Sequence, residues 1–334
     1  ALQATHPQQR QVLRLARTLA LQQRPSVASD LVFGSTGSGN SADTTLDVVA
    51  RSAPISCCAR DVSGDALDDD WRAIVHWSRA TGGRRQSAGV DGAAFTDTET
   101  VRNRRGAGLQ YQRASLSGSV ELNRADGPSA ATGVVLALQR EINDAWQASA
   151  SYDSDLNTLS AASYRAGITA AQWQTDVQWS ASEAQRAGLE LSAQRFSDGN
   201  HRRTTRLWWT QRWHSGPVWK FDTTLMRTQS AATTNPAPYF NPAAHSETAL
   251  LFKSDWTSWQ RYERSLHQRA ALQIGRYRQS GFASARATEL RYELVWHADQ
   301  QTAIVLGTSR GNHPYDGVSE SYHNVFLNLN WIVP

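Results

Sequence analysis

An alternation of apolar and polar side chains runs through most of the chain from Val27 onward. Residues 71–77, for example, read Trp-Arg-Ala-Ile-Val-His-Trp, and residues 325–331 read Val-Phe-Leu-Asn-Leu-Asn-Trp. A period of two predicts β-strands with one apolar and one polar face. No apolar run approaches the roughly 18 residues that a membrane helix needs. A closed β-barrel is therefore the one membrane-spanning structure open to the chain, because lipid offers no partner to a free sheet edge.

The aromatic residues favour the barrel over a water-soluble fold. The sequence has 13 Trp but 1 Met among 334 residues, and its mean hydropathy is −0.53. Composition alone leaves a Trp-rich soluble β-sandwich or lectin equally open. Aromatics such as Trp146, Trp179 and Trp296 stand near the ends of apolar faces, however, where outer-membrane barrels carry an aromatic girdle. The low hydropathy agrees with this, since alternate strand residues face a polar lumen.

Connection lengths also alternate, as they do in outer-membrane barrels. We predict short turns at 113–114, 143–144, 182–186, 215–216, 259–260 and 298–300. Long connections are predicted at 79–104, 154–172, 229–245, 275–286 and 310–322, and the stretch 86–94 is assigned to a loop to keep the strand count even. The fold class is thus all-β, a transmembrane antiparallel barrel of about 16 strands with both termini at the short-turn end. The strands are predicted at 29–36, 44–53, 70–78, 105–112, 115–123, 132–140, 145–153, 173–182, 187–196, 203–213, 217–228, 246–258, 261–274, 287–298, 301–309 and 323–332.

A short N-terminal α-helix precedes the barrel. Apolar residues recur at helical spacing between Pro7 and Gln22, and Arg24-Pro25 ends the pattern. The apolar face of this helix has nothing of its own to pack on, which is typical of a helical repeat. We expect residues 1–26 to be the terminal helix of a truncated periplasmic helical-repeat domain and residues 27–334 to be the barrel. A helix that merely plugs or flanks the barrel is the alternative.

Charge and motifs exclude several classes of function. The net charge of +4 is spread without a basic block, so nucleic acid is not an expected partner. Cys57 and Cys58 are adjacent, so they cannot form a disulfide that links distant segments, and their spacing matches no metal-binding motif. We expect no metal, no cofactor and no catalytic residue, because no Ser/His/Asp order, metal-ligand spacing or phosphate loop stands out.

Four short motifs carry a resemblance to a known family. They are Phe196-Ser197-Asp198-Gly199-Asn200-His201, Pro238-Tyr239-Phe240-Asn241-Pro242, Pro314-Tyr315-Asp316-Gly317 followed by Glu320, and Asn143-Asp144-Ala145-Trp146. In order and spacing they resemble the C-terminal barrel of the poly-β-1,6-N-acetyl-D-glucosamine export porins (PgaA type), from about residue 27 to the end. The chain departs from that pattern in its richness in arginine and in its ending, Trp331 to Pro334.

The resemblance implies a sixteen-stranded outer-membrane barrel behind a periplasmic tetratricopeptide domain. It implies export of partly de-N-acetylated poly-N-acetylglucosamine, a biofilm matrix polymer. The implied partners are that partly cationic exopolysaccharide, outer-membrane lipid, a periplasmic polysaccharide deacetylase and an inner-membrane synthase.

Alternation nominates the residues that would contact such a polymer. Spaced lumen carboxylates can pass ammonium groups along by charge attraction, and an aromatic ring can stack on a sugar. The lumen candidates are Asp47, Glu121, Asp153, Asp176, Glu190, Trp208, Asp222, Asp255, Glu263, Glu289 and Glu293. Arginines share that face, so structural ion pairs are the competing interpretation for each carboxylate.

The loop motifs nominate a gate at the mouth of the pore. The gate candidates are Phe196, Asp198, Asn200, Tyr239, Phe240, Tyr315 and Asp316. These residues are also ordinary turn formers and loop-packing aromatics, and both interpretations stand. An exporter of a cellulose- or alginate-like polymer, and an outer-membrane barrel enzyme, remain the alternative functions.

Overall fold

The computed structural model describes residues 20–36, 40–56, 70–84, 100–233 and 236–334. Within these ranges the chain forms sixteen long β-strands, as the sequence predicts. In chain order they are β1 Ser26–Thr36, β2 Asn40–Arg51, β3 Asp70–Arg84, β4 Thr100–Arg113, β5 Leu116–Ala125, β6 Ala131–Glu141, β7 Trp146–Asp153, β8 Ala170–Ser180, β9 Gln185–Phe196, β10 His201–Ser215, β11 Trp219–Ala232, β12 Ala244–Arg261, β13 Arg264–Gln279, β14 Ala285–His297, β15 Thr302–Tyr315 and β16 Val318–Ile332.

The sheet closes on itself. Each strand pairs antiparallel with its neighbours in the chain, and β1 pairs with β16 in a register that runs from Ser26↔Ile332 to Thr36↔Tyr322. A two-residue segment, Ile55–Ser56, adds a short pairing to the start of β3. Closure leaves no free sheet edge, which is the condition for a sheet to span lipid. In the described part of the chain, no helix is long and apolar enough to cross a membrane.

The two faces of the sheet match the predicted alternation. Large apolar side chains on the outer face are exposed, such as Leu122 at 67% and Trp173 at 60%. A soluble protein would bury them, whereas a barrel presents them to lipid. Aromatic pairs on neighbouring strands, Trp71–Tyr111 and Trp146–Trp179, have ring centroids 4.8 and 6.3 Å apart. They lie near one rim, as expected of an interfacial girdle.

The two ends of the barrel differ, and we name them the turn end and the loop end. The turn end carries Ser26 and Ile332 together with six tight connections and one long connection, 52–69, of which residues 52–56 are described. The loop end carries the longest described connections, 154–169 and 233–243. The turn predicted at 259–260 is wrong, because a bulge between Thr257 and Trp259 lets β12 continue to Arg261.

Two of the predicted long loops are also wrong. Strands β13 and β14 leave only residues 280–284 between them, where 275–286 was predicted. Strands β15 and β16 continue to a two-residue turn in place of the loop 310–322. Asp316 and Gly317 form this turn with φ of 48° and 81°, the left-handed backbone of a tight hairpin. The paired strands are therefore longer than the segments in which apolar and polar residues alternate.

The remaining connections are partly described. Connection 154–169 contains a short helix, α1, at Ala161–Arg165, which is capped by Ser160 and was not predicted. Strand β3 extends to Arg84 and β4 begins at Thr100, so the predicted loop 79–104 is shorter at both ends. The stretch 86–94 and the residue pair 57–58 lie outside the described residues. Of the N-terminal helix, residues 20–22 are described and helical, immediately before β1.

Candidate functional site in the lumen

The inner wall of the barrel is polar and carries most of the predicted carboxylates. Register and alternation place Asp47, Glu121, Asp153, Asp176, Glu190, Trp208, Asp222, Asp255, Glu289 and Glu293 at inward positions. Glu263 is the exception. It lies in the two-residue turn between β12 and β13, because β12 runs to Arg261 and β13 begins at Arg264. The prediction that Glu263 lines the lumen is therefore wrong.

One histidine ties two of these carboxylates together. Nε2 of His76 lies 2.8 Å from Oδ2 of Asp47, and its Nδ1 lies 3.1 Å from Oε1 of Glu121. The Glu121 side chain lies over Gly106, where any larger residue would meet its carboxylate. The cluster joins β2, β3 and β5 across the inner wall. Both carboxylates are thus occupied by a neighbouring side chain.

Arginines neutralise the carboxylates on the opposite wall. Asp222 is bound through both oxygens by Arg212, at 2.7 and 3.1 Å. Arg269 lies 2.8 Å from Asp255 and 3.6 Å from Glu293. Arg291 lies 2.7 Å from Glu293. Residues of this network line a cavity of about 410 Å³, together with Leu251, Lys253, Ala271, Gln273 and Glu289.

Three of the predicted carboxylates have no such partner among the described residues, and one of them, Glu289, accepts a hydrogen bond from the Tyr322 hydroxyl at 2.6 Å. Asp176 of β8 and Glu190 of β9 are direct register partners, and neither forms an ion pair with a described residue. Trp208 of β10 is close by and lies over Gly188, where an added Cβ would come within 2.5 Å of its ring. Most surrounding inward positions are amides and hydroxyls: Ser149, Ser151, Gln172, Gln174, Gln178, Ser192 and Gln194. Arg206 is the register partner of Glu190 on β10, but no ion pair joins the two side chains. We call this surface the amide wall.

Connection 154–169 folds against the inner face of β3 and β4. Asp155 is buried and lies 2.5 Å from Nη2 of Arg102, which is itself fully buried. Asn157 accepts a hydrogen bond from Arg102 at 2.9 Å and donates one to Ser78 at 2.7 Å. Burial raises the pKa of Asp155, and the charge of Arg102 opposes that shift. The segment narrows the loop end of the lumen from one side.

The ion pair between Arg104 and Asp153 extends the same contact toward the turn end. Arg104 binds both oxygens of Asp153, at 3.0 and 3.3 Å. Arg102 and Arg104 were missed because the predicted strand began at residue 105. Their outward neighbours, Asn103 and Arg105, are polar, so the apolar alternation gives no signal there.

Four of the gate candidates form one packed cluster at the loop end. Phe196 is buried and stacks on Tyr239 with ring centroids 4.8 Å apart. Asp198 accepts hydrogen bonds from the Tyr239 hydroxyl at 2.9 Å and from Asn200 at 3.0 Å. Asn200 is fully buried and accepts a hydrogen bond from Thr233. Three connections are thereby joined, since Leu156 and Ile168 pack on Phe196.

Electrostatics reinforce this cluster. Burial opposes ionisation of Asp198, but hydrogen bonds from Asn200 and Tyr239 outweigh it and lower the pKa of the carboxyl. Burial and the bond to Asp198 raise the pKa of Tyr239 to about 12. At neutral pH Asp198 is therefore an ionised carboxylate and Tyr239 a neutral phenol. Such charge-assisted hydrogen bonds are stronger than neutral ones.

The other three gate candidates lie beside this cluster. Phe240 packs edge-on against Tyr315 with ring centroids 4.9 Å apart. Asp316 accepts a hydrogen bond from Gln279 at 2.6 Å and its backbone N–H donates to the same side chain. Tyr315 also contacts His313, which contacts Tyr277, at 4.7 and 4.5 Å. The sequence predicts loops at 310–322 and 275–286, so the apolar pattern does not identify His313 and Tyr277 as part of the wall.

Comparison with known proteins identifies the family. The sequence model described as the PgaA membrane beta barrel domain matches residues 34–332. A solved structure described as a bacterial polysaccharide outer membrane secretin superimposes with a TM-score of 0.79 at 19% identity, covering 94% of this chain and 99% of that one. OccAB4 of Acinetobacter baumannii gives a TM-score of 0.47 at 10% identity, covering 93% and 98%. No curated protein sequence matches. The chain belongs to the family of PgaA membrane beta barrel domains, the outer-membrane barrels of polysaccharide export porins.

Proposed function

We propose that this barrel exports partly de-N-acetylated poly-N-acetylglucosamine across the outer membrane to the biofilm matrix. The observation that carries the proposal is the amide wall, where Asp176 and Glu190 form no ion pair with any residue that the structure describes and lie beside Trp208. Acetamido and hydroxyl groups of the polymer can hydrogen-bond to amides and hydroxyls. Ammonium groups left by de-N-acetylation can approach the two carboxylates. The ring of Trp208 offers an apolar face to a sugar ring.

The lumen carboxylates divide into two roles in this proposal. The larger set is held by His76, Arg104, Arg212, Arg269 or Arg291, and these pairs set the shape of the wall. Asp176 and Glu190 supply the attraction for the passenger. A conducting pore must bind its passenger weakly enough to release it. Asp176 and Glu190 on a polar inner wall meet that requirement, since an exposed pair of opposite charges contributes about 0–1 kcal/mol.

We further propose that the packed loop cluster is the gate. The stack of Phe196 on Tyr239, fastened through Asp198, joins the connections that border the mouth. Its many local contacts favour one folded arrangement. Passage of a polymer would then require the connection 154–169 or 233–243 to move away from the axis.

The rest of the export system is inferred from the family. Residues 1–26 would end a periplasmic tetratricopeptide domain that delivers the polymer to the turn end. Both termini would then lie in the periplasm. An inner-membrane synthase and a periplasmic deacetylase would supply the passenger, and the chain itself would perform no catalysis.

The double variant Asp176→Asn/Glu190→Gln tests the proposal. It removes both charges while keeping the side-chain shapes, so we expect surface polymer to fall severalfold with unchanged barrel content. The matched control is Asp222→Asn, which removes a carboxylate already held by Arg212. Export that is unchanged in the double variant, or reduced equally in the control, would contradict the assignment of the amide wall.

A substrate comparison separates the alternatives. Block of the open channel should be strongest for partly de-N-acetylated oligosaccharide, weaker for the fully acetylated form and weakest for an anionic alginate fragment. Stronger block by cellulose or alginate fragments would favour another exporter. Turnover of phospholipid by the purified barrel would favour an enzyme.

A further inference from the structure

The outer face of the barrel carries a ring of arginines at the loop end. All but two of the 34 basic residues of the chain, Lys220 and Lys253, are arginine. Ten of the arginines are exposed at outward strand positions near the loop end. We call them the arginine belt: Arg79, Arg105, Arg124, Arg195, Arg203, Arg227, Arg276, Arg278, Arg286 and Arg310.

The belt borders the lipid-facing band directly. Arg124 stands two residues beyond Leu122, and Arg310 stands four residues beyond Leu306, on strands whose apolar residues are exposed. Two to four residues correspond to about 7–13 Å along a strand. Guanidinium groups at that height reach the headgroup layer of a bilayer.

One exposed carboxylate, Asp126, lies beside the belt in the turn after β5, where it accepts a hydrogen bond from the backbone N–H of Asn103 at 2.9 Å. None of the ten arginines forms an ion pair with a described residue. The described strands carry no Asp or Glu at outward positions of the loop half. The turn end is different, because Arg140, Arg261 and Arg264 are accompanied there by Glu141 and Glu263. The outward strand positions described at the loop end therefore carry arginines and no carboxylate.

The register between strands places two pairs of belt arginines directly opposite each other, and without an anion between them the like charges repel. Arg105 stands directly opposite Arg124, and Arg276 directly opposite Arg286. Like charges directly opposite each other on neighbouring strands destabilise a sheet. A phosphate group between the two guanidinium groups would reverse the sign of the interaction, since arginine binds phosphate with two parallel hydrogen bonds. The arrangement thus fits an anionic ligand with several phosphates near the membrane surface.

We propose that the arginine belt binds the phosphate-bearing headgroups of lipids in one leaflet of the outer membrane. The loop end then lies in the more anionic leaflet, and this fixes the orientation of the barrel. The pairs Arg105/Arg124 and Arg276/Arg286 are the strongest phosphate positions. The inference is independent of the passenger, because every residue of the belt lies on the lipid side of the wall.

The test is a binding titration of the full-length chain in detergent micelles. The probe is bis-phosphorylated lipid A, and the reference is the same lipid after removal of both phosphates. The belt variant is Arg105→Gln/Arg124→Gln/Arg276→Gln/Arg286→Gln. The control variant, Arg113→Gln/Arg140→Gln/Arg261→Gln/Arg264→Gln, removes the same charge from the turn end.

We expect the belt variant to bind the phosphorylated lipid at least about tenfold more weakly than the unaltered chain, and the control to stay within about twofold. Dephosphorylated lipid should bind weakly and equally to all three. Equal loss in both variants, or equal binding of both lipids to the unaltered chain, would overturn the proposal. Should the four-fold variant fail to fold, the pairs Arg105→Gln/Arg124→Gln and Arg276→Gln/Arg286→Gln give the same comparison separately.

Discussion

At the scale of single residues, glycine decides where a large side chain can lie on the inner wall. Gly188 sits directly opposite Trp208, and the indole occupies the space where any other residue would have its Cβ. Close packing of this kind leaves no room for adjustment without moving the ring. The position of the Trp208 ring in the amide wall therefore depends on Gly188 of the neighbouring strand as well as on Trp208 itself.

Substitution Gly188→Val should displace the Trp208 ring. An added side chain would approach its Cε2 and Cζ2 to 2.5 Å, so the indole must swing into the lumen. We expect weaker block of the channel by oligosaccharide, in the same direction as Trp208→Ala. Gly118→Ala is the control, because its Cβ makes only ordinary contacts at 3.5 Å on the outer face. Unaltered block in Gly188→Val would show that the ring position does not matter.

Asp198 should make the loop cluster sensitive to acid. Its pKa is lowered in the folded chain, so the stabilisation is complete above the pKa of the unfolded carboxyl, about 3.9. It is lost as the pH falls through the lower folded value. The protection factors of the amides at 197–200 and 236–243, in which the intrinsic pH dependence of exchange is divided out, should be steady from pH 7 to about pH 5 and fall below about pH 4. In Asp198→Asn we expect that acid-dependent step to disappear, and its persistence would exclude Asp198 as its cause.

Alternation within each strand identified the inward carboxylates, but it could not tell which of them are paired. His76 meets Asp47 and Glu121 across strands that are far apart in sequence. Such contacts depend on the register between strands, which a single-strand pattern does not contain. That Asp176 and Glu190 form no ion pair with a described residue could likewise be recognised only from the positions of their neighbours.

At the scale of elements, the strands were predictable where their outer face is apolar. All sixteen strands lie where the alternation indicates, while their ends at β13 to β16 extend past the prediction. There the outward residues are arginines, such as Arg276, Arg278 and Arg310, so the apolar signal stops although backbone pairing continues. Turn chemistry was a better guide to the last hairpin, because Asp316-Gly317 is a strong turn sequence.

Connection 154–169 should leave the wall when its buried ion pair is broken. The substitution Arg102→Ala leaves the buried carboxylate of Asp155 without its ion-pair partner. Removing one partner of a buried ion pair lowers the free energy of unfolding by roughly 3–5 kcal/mol. We expect faster hydrogen exchange across 154–169 and a larger single-channel conductance. The control Arg140→Ala removes an arginine at the turn end.

The contrary result for this segment would be equally informative. Conductance that is unchanged in Arg102→Ala while exchange rises would mean that the connection lies clear of the narrowest part of the lumen. Exchange and conductance that both stay unchanged would contradict the importance of the buried pair itself.

At the scale of the whole molecule, the closed barrel follows from two features that can be read from the sequence: strands with one apolar face, and an even number of them. Strands with one apolar face need lipid or a core to cover it, and the described residues form no second layer that could bury so many tryptophans. An even number of strands then closes the sheet. The inner surface was less predictable, because connection 154–169 folds back onto β3 and β4 through polar contacts without any hydrophobic pattern.

The most direct test of the account is single-channel conductance in a planar bilayer. Purified barrel should open a stable pore, and partly de-N-acetylated β-1,6-linked oligosaccharide should block it more strongly than the fully acetylated form. The preference should disappear in Asp176→Asn/Glu190→Gln and persist in Asp222→Asn. A barrel that never conducts, or one blocked equally by both oligosaccharides, would contradict the claim that the amide wall passes a partly cationic sugar polymer.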